Sequence, residues 1–100
     1  MQVAIVRGTV TSTQKEPSLR GLKFLVLQLV DEEGQLLPKY EVAVDYVGAG
    51  VEEWVLVSRG SAARQAEGRG QCPVDAAVIA IIDTVSIDNR LLYSKKNQYR

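Results

Sequence analysis

Gly48-Ala49-Gly50 opens like the glycine fingerprint of a dinucleotide site. In such a site glycines let the backbone approach a pyrophosphate at a helix N-terminus. Here the third glycine is absent and Val51, Glu52 and Glu53 follow. Carboxylates at that place would repel a pyrophosphate, and a strand-like segment stands where the helix should be. The triplet reads instead as a tight turn whose backbone approaches something closely, which glycine permits. Arg59-Gly60-Ser61-Ala62-Ala63-Arg64 places two arginines around a helix start. That arrangement suits an anion site at the helix N-terminus. It also suits a Ser61 cap with Arg59 and Arg64 paired to carboxylates, within one subunit or between two. The second reading is favoured, because the planar arginine fork is enriched at interfaces.

Asp45, Asp75, Asp83 and Asp88 could be proposed as an acid pair, but nothing in their spacing selects two of them. Turn and strand-end roles fit them better. The one cysteine, Cys72, precedes Pro73 and cannot form an internal disulfide or a zinc site alone. Its solitude fits a reducing compartment such as a bacterial cytoplasm. The chain has no histidine. The commonest general base, the usual metal ligand and the activator that Cys72 would need are therefore missing. The expectation is a protein without catalytic residues, cofactor or metal. The six aromatics, Phe24, Tyr40, Tyr46, Trp54, Tyr93 and Tyr99, are scattered and form no local cluster with basic residues. A single-strand binder needs such stacking platforms in a basic groove.

These residues must be positioned by a chain of 100 residues, which makes one small domain. Lys+Arg and Asp+Glu are both 12, so the net charge is zero. A neutral chain lacks the field that draws proteins to nucleic acid or anionic lipid, and it lacks the self-repulsion that opposes association. No basic segment followed by an apolar core marks a signal peptide at the N-terminus. The longest apolar run, Ala76 to Ile82, is too short to span a bilayer.

The pattern is one of short strands cut by turn signals. Strands are expected over Val3–Ser12, Leu22–Val30, Tyr40–Val47, Glu53–Ser58, Val74–Ile87 and Arg90–Ser94. Loops or turns are expected at Lys15–Gly21, Asp31–Gly34, Gly48–Gly50, Glu67–Pro73 and Asp88–Asn89, a short helix over Ala62–Ala66, and fraying over Lys95–Arg100 unless a partner holds it. In Leu22–Val30 (LKFLVLQLV) apolar residues fall on both parities, so that strand wants cover on both faces. The fold class is all-β: a five-stranded barrel of the oligonucleotide-binding kind, with one short helix and a C-terminal hairpin.

Three stretches, together with Leu22–Leu29, are similar to a known family in order and spacing. Gly8–Lys15 (GTVTSTQK), Val47–Arg64 (VGAGVEEWVLVSRGSAAR) and Val74–Ser86 (VDAAVIAIIDTVS) resemble the vertex proteins of bacterial microcompartments. The ending Leu91-Leu92-Tyr93-Ser94-Lys95 looks like the carboxysome branch rather than the ethanolamine- or propanediol-utilisation branches. The resemblance implies a homopentamer at the corners of a polyhedral shell, meeting hexameric shell proteins of the facets. It implies a place in the carboxysome shell of a cyanobacterial cytoplasm, around the carbon-fixing enzymes, with neither nucleic acid nor membrane as partner. It makes Gly48, Ala49 and Gly50 candidates for the ring axis, and Arg59, Ser61 and Arg64 candidates for the subunit interface. A nucleic-acid-binding barrel, a vertex protein of a different microcompartment and a small enzyme are the alternatives.

Overall fold

Strands form where β-branched and aromatic residues concentrate, as a pleated, half-buried surface favours. The computed structural model describes residues 1–11, 17, 21–60 and 75–96. In chain order the strands are β1 (Gln2–Val10), β2 (Phe24–Val30), β3 (Leu36–Asp45), β4 (Trp54–Arg59), β5 (Ala76–Ile81), β6 (Thr84–Ile87) and β7 (Arg90–Ser94). The first five close into a barrel in the order β1-β2-β3-β5-β4, and β6 and β7 make a separate hairpin. Every barrel pairing is antiparallel except the short parallel link of β3 to β5, Val44 opposite Ala77 and Asp45 opposite Val78. The short helix expected over Ala62–Ala66 and the loop over Glu67–Pro73 lie outside the described residues.

Side chains alternate in and out along each strand. Ala4 and Val6 of β1, Leu25, Leu27 and Leu29 of β2, Ala43 of β3, Val55 and Val57 of β4, and Ala76 and Val78 of β5 point inward and fill the barrel. The opposite parity of β2 is also partly covered. Phe24 packs on a second cluster outside the barrel, built on Leu22, Val44 and Ala77 with Tyr46 and Ile79. This accounts for the two-sided apolar pattern at the start of β2.

Two strand expectations need correction. Val74–Ile87 is not one strand. β5 ends at Ile81, the Ile82 amide donates to the Trp54 carbonyl at 2.8 Å, and the Asp83 carbonyl accepts from the Lys95 amide at 2.8 Å. The chain therefore leaves the barrel at Asp83, a residue that the sequence suited to a strand end, and begins the hairpin. β3 starts at Leu36 rather than Tyr40 and passes through Pro38. The β2–β3 register shifts there, between Gln28 and Val30, and a proline without an N–H is tolerated at such an irregularity. The Gln28 side chain spans the gap, donating from Nε2 to the Leu37 carbonyl at 3.0 Å.

The turns carry the residues their geometry demands. Asp88 and Asn89 both have positive φ (53° and 61°), as a two-residue hairpin turn requires. At the β2–β3 turn, Asp31 Oδ1 accepts from the Glu33 and Gln35 amides at 2.8 and 2.9 Å.

The hairpin docks on the barrel through adjacent residues of β4's entry. Trp54 stacks on Tyr93 of β7, with centroids 4.3 Å apart and planes at 16°. Glu53 Oε2 receives Lys95 Nζ at 2.8 Å, so Lys95 is held at both backbone and side chain rather than frayed. The Lys95 hydrogen bond, with help from the Gly50 amide, holds the Glu53 carboxyl below the usual carboxylate range, although burial acts in the opposite direction.

The sign of the resulting pH dependence follows from that lowered value. A carboxyl with a depressed folded pKa adds stability that is fully present above its unfolded pKa and is lost as pH falls through the folded one. Glu53→Gln should therefore melt below wild type at neutral pH. The difference in Tm should shrink as pH drops below the ordinary carboxylate range. Thermal unfolding of both proteins across neutral to acidic buffers, at one protein concentration, checks this; a gap independent of pH would assign Glu53 no ionic role.

Candidate functional site

The Gly48–Gly50 turn is built by two carboxylates. Asp45, the last residue of β3, folds its side chain over the chain that follows. Its Oδ1 accepts from the amides of Val47 and Gly48, both at 3.0 Å, and its Oδ2 from the Ala49 amide at 3.1 Å. From the other side Glu53 Oε1 accepts from the Gly50 amide at 2.6 Å, and the Glu53 amide donates to the Gly50 carbonyl at 3.2 Å. The loop is also tied to β1, since the Glu52 amide donates to the Val6 carbonyl at 2.8 Å and the Val6 amide to the Glu53 carbonyl at 3.0 Å.

This arrangement disposes of the dinucleotide reading. The amides of Gly48, Ala49 and Gly50 are those a pyrophosphate would use, and the protein's own carboxylates already occupy them. It also divides the roles within the triplet. Gly48, with φ of 77°, holds the left-handed conformation, and Gly50 does not. Ala49 is 1% exposed and packs in the barrel core, so its side chain offers no surface on the single subunit. Only Gly48 and Gly50 present surface, flanked by the exposed Val47 and Val51.

Arg59 stands at the end of β4 on the inward parity. Its Nη1 donates to Glu41 Oε1 of β3, and its Nη2 is ion-paired with the same carboxylate and donates to Gln2 Oε1 of β1. Glu41 and Gln2 share the inward parity, so the three side chains close one mouth of the barrel. The fork pairs with a carboxylate of the same subunit, one of the two outcomes left open by the sequence. Ser61 and Arg64 lie outside the described residues, as does Cys72.

The four aspartates are dispersed. Asp45 caps the loop, Asp75 accepts the Gly60 amide on its carbonyl at 2.8 Å, Asp83 marks the barrel exit, and Asp88 makes the hairpin turn. Among the described residues no three of His, Cys, Asp or Glu gather as metal ligands would.

Sequence reasoning passed over one surface. Leu36, Pro38, Tyr40 and Val42 occupy the outward parity of β3, with Glu41 and Ala43 inward. Tyr40 is 64% exposed, Val42 49% and Leu36 46%. The alternation LLPKYEVAVD carried the signal, but two apolar residues at positions 42 and 44 look like an inward face until the barrel places the smaller Ala43 inside.

With the geometry established, similarity to known proteins is informative. The family model for "Ethanolamine utilisation protein EutN/carboxysome" matches residues 1–83. The chain is 72% identical to the carboxysome shell vertex protein CcmL of Nostoc sp., covering 100% of both. The solved structure of Gloeobacter violaceus CcmL, 71% identical, superposes with a TM-score of 0.92 over 96% of this chain and 99% of that one. The GrpN pentameric microcompartment shell protein of Rhodospirillum rubrum, 45% identical, gives a TM-score of 0.79 over 87% and 99%. Full-length similarity of this degree, on the same barrel, leaves one assignment: the chain belongs to the EutN/CcmL family of microcompartment shell vertex proteins.

Proposed function

We propose that this chain is a structural protein of the carboxysome shell, assembling as a homopentamer that caps the shell's corners and catalysing nothing. The observation that carries the reading is full-length similarity to carboxysome shell vertex proteins. A flat sheet of hexamers cannot close on itself; five-fold units supply the curvature. A head-to-tail contact whose rotation closes gives such a ring. Each contact in it should bury on the order of 800 Å² per partner or more. The remaining partners are the hexameric shell proteins of the facets, and the setting is the shell within a cyanobacterial cytoplasm.

Within the ring, Gly48 and Gly50 face the five-fold axis, and Ala49 anchors their loop to the barrel core. Arg59, Ser61 and Arg64 are the residues proposed for contact with the neighbouring subunit. The direct test of the function is a deletion strain with no second vertex gene. Its cargo should stay condensed while its shells close badly and elongate, and normal polyhedral shells in thin-section micrographs would refute the role.

The loop placement has its own test in Gly50→Leu. A Cβ at Gly50 would meet only Glu53 Oε1, at 3.4 Å, and the backbone there is not left-handed. The barrel should accept the side chain. Near the axis, however, symmetry adds it five times in one confined place. The expected outcome is a far-UV circular dichroism spectrum like that of wild type, with the pentamer lost or loosened on size-exclusion chromatography. An intact pentamer would move this loop away from the axis.

A further inference from the structure

We infer that Lys95 is a positioning residue for the Gly50 side of the Gly48–Gly50 loop, acting through Glu53, so that the docked hairpin sets the shape of that loop. The two ends of the loop are held differently. At the Gly48 end the Asp45 carboxylate bonds the amides of Val47, Gly48 and Ala49, a few residues along its own chain. That cap is local in sequence. At the Gly50 end the acceptor is Glu53 Oε1, 2.6 Å from the Gly50 amide, and the other oxygen of the same carboxylate meets Lys95 Nζ at 2.8 Å. Lys95 lies just beyond β7, at the far end of the chain.

The link is stiff at each joint. The Glu53 backbone is tied to β1, since its carbonyl accepts the Val6 amide at 3.0 Å, and its amide bonds the Gly50 carbonyl at 3.2 Å. Only its side-chain torsions remain, and a carboxylate held at both oxygens keeps few of them. Lys95 is fixed as well. Its amide donates to the Asp83 carbonyl at 2.8 Å, and Tyr93, two residues earlier, stacks on Trp54, the neighbour of Glu53. The Glu53 and Lys95 side chains are 17% and 32% exposed, so water screens the pair less than it screens a surface pair. The lowered Glu53 pKa has Lys95 as its first cause and the Gly50 amide as its second, as one charge shared between two partners requires. Without Lys95 the carboxylate is free to turn off the Gly50 amide. Gly50 is exposed and has no Cβ to restrict its backbone, so that half of the loop loosens while the half under Asp45 stays.

The hairpin is then more than a cover for Trp54. With the loop at the ring axis, a clause that rests on the placement proposed above, a shift of the hairpin reaches the opening at the ring's centre. The coupling itself belongs to the single subunit and does not depend on that placement.

The test is residue-resolved amide exchange by NMR on the full-length protein, in wild type, Lys95→Met, Lys95→Arg, Glu53→Ala and the Glu53→Ala/Lys95→Met double variant. Trp54 is the chain's one tryptophan, so its fluorescence reports whether the hairpin stays stacked. In Lys95→Met the Gly50 amide should exchange about tenfold faster, as expected for losing one charge-assisted hydrogen bond, while the Gly48 amide keeps its wild-type rate. Lys95→Arg should restore most of the protection at Gly50. In the Glu53→Ala background Lys95→Met should add nothing, because its effect runs through Glu53. Unchanged Gly50 exchange in Lys95→Met would overturn the inference. So would equal loosening of Gly48 and Gly50, or a Lys95→Met effect that persists without Glu53, since either gives Lys95 a general structural role. A shifted Trp54 emission in Lys95→Met would mean that the hairpin has left the barrel and taken Lys95 from Glu53. The same comparison then decides: loosening confined to Gly50 supports the hairpin's control of the loop, and an unmoved Gly50 refutes it. An axis found elsewhere through Gly50→Leu would leave these results standing.

Discussion

A five-stranded barrel has one inside, and it can bury only one face of each strand. This chain carries more apolar side chains than that inside accepts. The inward parity of β1, β2, β4 and β5 is filled mostly by Ala, Val and Leu, which suits a narrow barrel. The apolar residues of the other parity must be covered from outside. Part of that cover is local, through the cluster of Leu22, Phe24, Val44 and Ala77. Part is supplied by the hairpin through the Trp54–Tyr93 stack. The remainder, Leu36, Tyr40 and Val42 on the outward side of β3, stays exposed on the single subunit.

The polar groups follow the same economy of closure. Asp45 and Glu53 take the amides of the Gly48–Gly50 turn, Asp31 those of the β2–β3 turn, and Arg59 closes a barrel mouth with Glu41 and Gln2. Buried or half-buried polar groups that find partners inside the subunit fix local geometry. They are then not on offer to a ligand. A loop that resembles a phosphate cradle in sequence is thus a rigid strut in structure, and an arginine beside a helix-start pattern is a clasp between strands.

How much of this was legible in the sequence depends on whether a feature is local. Strand β2, the Asp88–Asn89 turn and the Asp31–Gly34 turn could be read directly, because periodicity and turn chemistry are written in neighbouring residues. The break at Asp83 could not. Asp83 alone hinted at a strand end there, and the apolar residues on both sides outweighed it; the corner is held by Trp54 and Lys95, distant in sequence, which pair with its backbone. The start of β3 was hidden by Pro38, which sits at the register shift where Gln28 bonds the Leu37 carbonyl in place of a ladder donor. The left-handed residue of the turn is Gly48 rather than Gly50, because the Asp45 carboxylate draws the chain back at the first glycine. The outward direction of Val42 needed the closed barrel, since parity alone does not say which side is inside.

A shell corner asks for one property above all: a fixed angle between the face a subunit gives to one neighbour and the face it gives to the next. In a ring of identical contacts any error in that angle is repeated at each step, and the ring then opens into a helix instead of closing. A closed barrel is suited to this task, because its strand number and stagger set its shape and its packed interior resists deformation. The register irregularities on β1 and β3 lie beside the apolar outward side of β3, and each is braced by Gln28, through Arg7 in one case and Leu37 in the other. The Glu53 carboxylate performs a similar service beside β1, joining the Gly50 loop to Lys95 and so to the hairpin. The side chains that could have done chemistry are used to hold surfaces at set angles. That division of labour explains how a chain without a single histidine can be rich in well-placed polar residues and still have its function in shape.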